Sequence, residues 1–162
     1  MVEGDLFTGN LFTTSVRSGH TVGINVSWDD AAQSILRWEF VGSWTWDEFD
    51  AALATTAHQL NAVDHPVTGI CDFTHSGPLP LNGSAFSYAY RAREVTKPRV
   101  SAIALVDTST YLRSLLKVFC TLHRQQQNRY LLVDSLDEAR ALLALHAPDG
   151  LQPDASVRRI HP

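Results

Sequence analysis

Residues 36–49, LRWEFVGSWTWDEF, place a strand, a break and a capped helix start in direct succession. Leu36, Trp38 and Phe40 alternate with Arg37 and Glu39. That period of two marks a strand with one buried face. Gly42-Ser43 interrupts it, and Thr45-x-x-Glu48 forms a capping box, in which each side chain satisfies a backbone N–H that the helix leaves without a partner. Phe49, Ala52, Leu53, Thr56, Ala57 and Leu60 then follow helical spacing, and His65-Pro66 ends the element. A half-buried strand feeding an amphipathic helix calls for a sheet with helices packed on it. Upstream, Val22, Ile24, Val26 and Trp28 alternate with Gly23, Asn25 and Ser27. This predicts a partner strand and an antiparallel hairpin with one wet face.

The rest of the chain extends the same architecture. Val67–Phe73 and Val100–Val106 are apolar on both faces, as interior parallel strands are. Between them, Gly77, Pro78 and Pro80 mark a loop, followed by a helix from about Ser84 to Val95 that Lys97-Pro98 closes. Leu112, Leu115, Leu116, Phe119 and Leu122 predict a third helix, with residues 124–128 as its polar exit. Tyr130–Val133 reads as a further strand, and Ser135-Leu136-Asp137-Glu138 as a second capping box opening the last helix. The order ββαβαβαβα predicts an α/β fold: a mixed sheet of about five strands, a β-hairpin followed by βαβαβα, with four helices and right-handed crossovers. Residues 20–146 form this domain. Residues 1–19 are expected to be a flexible or strand-forming N-terminal arm, and residues 147–162 a C-terminal tail.

With 162 residues the chain suits one core. A net charge of -4 gives no basic field for nucleic acid. Apolar runs fall short of the ~20 residues of a membrane helix, so no membrane insertion is expected. The first residues lack the charged start and apolar stretch of a secretory signal, which predicts a cytoplasmic protein. Cys71 and Cys120 sit in apolar segments and read as buried free thiols. The seven histidines include no His-x-x-x-His spacing, and no metal or cofactor is expected.

In pattern the chain resembles the STAS superfamily, named for sulfate transporters and anti-sigma-factor antagonists. More closely it resembles the stand-alone SpoIIAA-like bacterial proteins. The carriers are the LRWEFVGSWTWDEF run, the strand end Ile70-Cys71-Asp72, VSAIALVDT (residues 100–108) and YLLVDSLDEARALL (residues 130–143). The resemblance implies a mostly non-enzymatic role. Some such proteins switch partners when a serine is phosphorylated on the loop after the third strand, and others bind small or lipidic ligands. The family loop reads Asp-Ser-Ser-Gly or close to it. Here it reads Asp72-Phe73-Thr74-His75-Ser76-Gly77, with Ser76 the nearest match and Thr74 and Ser84 its rivals.

Ligands of open α/β sheets bind outside the carboxyl ends of the strands. That rule directs attention to Asp72–Ser76, Asp107–Tyr111 and Asp134-Ser135, although the same polar residues also suit helix capping. The first functional expectation is a regulatory or protein-interaction module, acting on a partner protein or a second copy as a homodimer. Asp72, Thr74, His75, Ser76 and Ser84 would form its surface. The second is a binder of a small apolar or anionic ligand between the second helix and the sheet. Phe73, Phe86, Tyr90 and Tyr111 would line that site, with Arg91 or Arg93 at its mouth. The third is an enzyme using Asp72, His75 and Asp107, which requires those side chains to converge. Neighbours on one loop seldom build a triad, and no Gly-x-Ser-x-Gly elbow is present. Trp46 is expected to cap the core, Trp44 to reach the surface as a contact residue, and Phe86 and Tyr90, sharing a helix face, to lie in the core.

Overall fold

A computed structural model describes residues 22–146. β1 (Gly23–Trp28), β2 (Ile35–Gly42), β3 (Val67–Ser76), β4 (Val100–Val106) and β5 (Tyr130–Val133) form one sheet in the order β1-β2-β3-β4-β5. The first pair is antiparallel and the remaining pairs are parallel. α1 (Trp46–Asn61), α2 (Ala85–Thr96) and α3 (Thr110–Leu122) connect the parallel strands, and α4 (Leu136–His146) follows β5. A short 3-10 turn (Arg124–Arg129) joins α3 to β5. The five strands, four helices and hairpin-first order agree with the sequence reading. The expected arm and tail lie outside the described residues.

The layering follows from the topology. Parallel strands added in sequential order by right-handed crossovers put every crossover helix on one face. α1 and α2 pack there against Trp38, Phe40, Cys71 and Phe73. α4, which crosses nothing, covers the opposite face, where Ile70, Ala102, Ala104, Val106 and Val133 meet Ala139 and Leu143. In β1 and β2 the pairs Ile24–Phe40, Val26–Trp38 and Trp28–Leu36 turn their apolar side toward α1.

Local chemistry sets the helix starts. Glu48 N–H donates to Thr45 Oγ1 at 3.2 Å while Thr45 N–H donates to Glu48 Oε2 at 2.7 Å, the reciprocal box expected at α1. At α4, Glu138 N–H donates to Ser135 Oγ at 3.2 Å, and Glu138 Oε2 reaches back to Asp134 N–H at 2.9 Å.

β3 runs past Phe73 to Ser76, beyond the strand end read from the sequence. Glu39 pairs with Asp72 and Val41 with His75, so β3 carries one extra residue, a bulge. The Asp72 carboxylate accepts from Thr74 N–H at 3.1 Å and Thr74 Oγ1 at 2.6 Å, which compensates for the interrupted ladder. Past the bulge the strands re-pair, and Gly77 N–H donates to Gly42 O at 2.7 Å. The segment expected as a loop is thus strand to Ser76.

Candidate functional site

Two sets of residues stand out: a polar group within β2 and β3, and an apolar cavity beneath α2 and α3. In the polar group, Asp72 is 2% exposed and its carboxylate is held by Arg37 Nη2 and Thr74. Arg37 also reaches Glu39 at 3.1 Å. Burial works to raise the Asp72 pKa, but hydrogen bonds from Thr74 and Arg37 outweigh it and hold the carboxyl below its ordinary range. Both Asp72 oxygens are engaged in this structural cluster. His75 is exposed on the same strand, and Asp107 is exposed at the end of β4 with φ of 50°.

The serines divide by environment. Ser76 is half-buried; its hydroxyl accepts from Trp44 Nε1 at 3.1 Å and donates to Gly77 O at 2.8 Å. Ser84 is exposed as the N-cap of α2, accepting from Ser87 N–H at 3.4 Å. Ser109 caps α3 in the same way at 3.2 Å. Asp134 pairs with Arg113 at 3.1 Å. Capping thus accounts for Ser109 and Ser135 at the strand-end rim.

The cavity lies between α2, α3 and the sheet and measures about 190 Å³. The sheet contributes Trp38, Phe40, Cys71, Phe73, Leu105 and Tyr130. α1 and the turn before it contribute Trp44, Trp46, Phe49 and Leu53. α2 supplies Phe86, Tyr88, Ala89 and Ala92, and α3 supplies Leu112, Leu115, Leu116 and Phe119. No charged side chain lines it among the described residues. Of its polar neighbours, Thr56 Oγ1 accepts from Trp38 Nε1 at 2.8 Å and Thr96 Oγ1 accepts from Arg129 Nη2 at 2.8 Å, while the buried Trp46 Nε1–H has no hydrogen-bond partner among the described residues. Burial pushes the Cys71 thiol up to about 12, with the Asp72 charge adding to the effect.

A dense aromatic wall supports one side. Trp46 stacks on Tyr88 with centroids 4.2 Å apart, Phe40 stacks on Phe73 at 4.3 Å, and Trp44 meets Trp46 edge-on at 5.2 Å. Such contacts fix ring orientations beyond what area burial gives. They also correct the expectation for Trp44. At 5% exposure it is a core residue, because the Gly42-Ser43 break turns its ring back over Phe40 and Ser76 satisfies its N–H.

Of the residues expected around a ligand, Phe73 and Phe86 line the cavity. Tyr90 and Tyr111 do not; they are 49% and 63% exposed. Phe86, at 37%, is at the cavity's edge. Phe86 and Tyr90 are therefore not core residues as their shared helix face suggested: Phe86 stands at the cavity's edge, and the exposed Tyr90 lies beside His123 at the end of α3. Arg91 is drawn toward α1, pairing with Asp50 at 3.0 Å and lying over the Tyr88 ring at 4.3 Å. The third-helix leucines and the Trp38–Trp46 wall were not read as site residues; helical period shows which leucines face inward but not that a gap remains beneath them.

A crystal structure of an uncharacterised protein of the DUF3478 family, with a SpoIIAA-like fold, from Shewanella loihica PV-4 superposes with a TM-score of 0.54. The alignment covers 78% of this chain and 98% of that one, at 14% identity. The chain has a SpoIIAA-like fold. No family model matches the chain, and no curated protein matches it. Among the described residues no helix is long and apolar enough to cross a membrane, and no group of His, Cys, Asp and Glu could hold a metal ion.

Proposed function

We propose that this SpoIIAA-like chain is a STAS-type binding module, acting without bond chemistry of its own, whose ligand is a small apolar molecule held beneath α2 and α3. The observation that carries this reading is the uncharged cavity of about 190 Å³. Protein interiors pack as densely as organic crystals and leave few voids larger than a water. An unfilled apolar void of this size is destabilising. Its lining is almost wholly apolar, with Trp46 Nε1–H as its one unpartnered buried side-chain donor among the described residues, and apolar spaces accept apolar guests. The chemistry of the lining selects for neutral, hydrophobic matter. The Asp72 cluster, by contrast, has its carboxylate committed to holding a bulge and a strand pair.

The test is titration with the neutral dye N-phenyl-1-naphthylamine, whose phenyl ring a cavity of about 190 Å³ can hold while its naphthyl group lies at the mouth, read by its fluorescence in apolar surroundings. Saturable binding is expected with the natural chain. Ala92→Phe, which puts a ring into the cavity from α2, is expected to abolish it while leaving the circular dichroism unchanged. Absence of saturable binding to the natural chain overturns the reading.

A further inference from the structure

Of the chain's five asparagines, only Asn82 is followed by glycine. Asn25 lies in β1, Asn61 ends α1 and Asn128 lies in the 3-10 turn, so regular structure holds their backbones. Asn82 is exposed in the segment between β3 and α2, two residues before Ser84, the N-cap of α2. Among the described residues neither its side-chain amide nor the Gly83 N–H is held by a hydrogen bond. Gly83 is fixed by packing instead. Its φ is 111°, and a Cβ there would lie 2.9 Å from Trp46 Cδ1 and 3.0 Å from Trp46 Nε1. Packing on Trp46 thus demands glycine directly after an exposed, unheld asparagine. With no Cβ beside it, the glycine nitrogen meets little obstruction in approaching the preceding side chain.

We propose that Asn82–Gly83 is a site of spontaneous covalent modification, at which Asn82 deamidates to aspartate and to β-linked isoaspartate. The Gly83 backbone nitrogen attacks Asn82 Cγ. A new N–Cγ bond closes a succinimide, the Cγ–Nδ2 bond breaks, and the amide leaves as ammonia with the proton that the Gly83 nitrogen gave up. Water then opens the ring. Addition at Cγ breaks the new bond and leaves aspartate on an ordinary backbone. Addition at the Asn82 carbonyl carbon breaks the original peptide bond and leaves the chain running through Cγ. Nothing is oxidised or reduced, and water is the only co-reactant.

The two products differ in what they do to α2. A carboxylate at position 82 stands close to the N-terminus of a helix with no acidic residue in its first turn, where negative charge is favoured. Isoaspartate carries the same charge but adds one carbon to the backbone, about 1.5 Å of chain, immediately before the glycine seated on Trp46. Trp46 in turn stacks on Tyr88 of α2 at 4.2 Å. Isoaspartate therefore unseats the start of α2, and aspartate does not. Neither effect depends on a ligand in the cavity.

Ageing the full natural chain in mildly alkaline buffer, followed by peptide mapping with mass spectrometry, tests this. The peptide holding Asn82 is expected to gain the mass difference between amide and acid in two chromatographic forms, one of them a substrate for isoaspartyl methyltransferase. Peptides holding Asn25, Asn61 and Asn128 should stay unchanged over the same time, as should the Asn82→Gln chain. If Asn82 converts only in urea, the fold shields it and the proposal is overturned. Equal conversion of Asn61 in the folded chain overturns it as well. Ion exchange then separates the aged forms, each one charge more acidic than the starting chain. The isoaspartate form should melt below the natural chain, while Asn82→Asp should melt no lower than it. Equal midpoints for the isoaspartate form and Asn82→Asp overturn the effect on α2.

Discussion

Arg140 on α4 grips Asp29, just past β1, with two parallel hydrogen bonds, Nε to Oδ2 at 2.7 Å and Nη2 to Oδ1 at 2.9 Å. The pair ties the last helix to the first hairpin across the sheet face that α4 otherwise covers only in part. The Arg140 hydrogen bond, working against burial, holds the Asp29 carboxyl below its ordinary range. A depressed folded pKa adds stability that is complete above the unfolded value of about 3.9 and is lost as pH falls through the folded one. Arg140→Ala should lower stability in urea at neutral pH by about 1 kcal/mol, the arginine being partly exposed. The difference from the natural chain should shrink toward zero in acid. A gap that persists at low pH would show that Arg140 acts by packing instead.

Asp72 is predicted to matter for folding rather than chemistry. Asp72→Ala leaves the Thr74 N–H without its acceptor and Arg37 without a buried counter-charge. The expected loss is about 2–4 kcal/mol in chemical denaturation. Asp72→Asn keeps an acceptor for Thr74 and should lose less. Neither change should alter binding of N-phenyl-1-naphthylamine to the folded fraction, because Asp72 lies on the α4 side of the sheet with Ile70.

How much of this could be read in the residues depends on how local the cause is. Alternation at Leu36, Trp38 and Phe40, and the caps at Thr45 and Ser135, are decided within a few positions and were legible. The extension of β3 to Ser76 was not, since it depends on a bulge braced by Asp72 and on Gly42 in another strand. Trp44 follows a break and carries no period, so its burial is settled by Phe40 and Ser76, distant in sequence for the latter. That Phe73 and Phe86 border a space between the second helix and the sheet was legible in outline. Its size was not, because the space beneath α2 and α3 is a property of how far the helices stand apart.

The re-pairing of β2 and β3 beyond the bulge depends on close backbone approach at Gly77. A Cβ there would lie 2.8 Å from Gly42 O, a backbone atom held in the ladder. Gly77→Ala should therefore cost about 1–3 kcal/mol of stability and lower the thermal midpoint. At Gly69 an added Cβ meets only side-chain atoms of Ile103 and Val100, the nearest at 3.4 Å. Gly69→Ala should be tolerated much better, and equal losses at both positions would count against the backbone explanation.

The two free thiols should be distinguished by reactivity. Cys71 lines the cavity and its thiol is pushed up to about 12, chiefly by burial. Cys120 is also raised, by burial alone, but lies on the outward side of α3 near Lys117 and Leu132. Only the thiolate attacks, so the rate follows its population. With a small neutral maleimide at pH 8, Cys120 should be modified first and Cys71 far more slowly. The Cys71 rate should climb about tenfold per pH unit toward 12, as long as the fold survives. Saturating N-phenyl-1-naphthylamine should slow modification of Cys71 further and leave Cys120 unchanged. Peptide mapping by mass spectrometry resolves the two sites. Equal protection of both thiols would mean the dye acts on global stability, whereas selective protection of Cys71 places it inside the cavity.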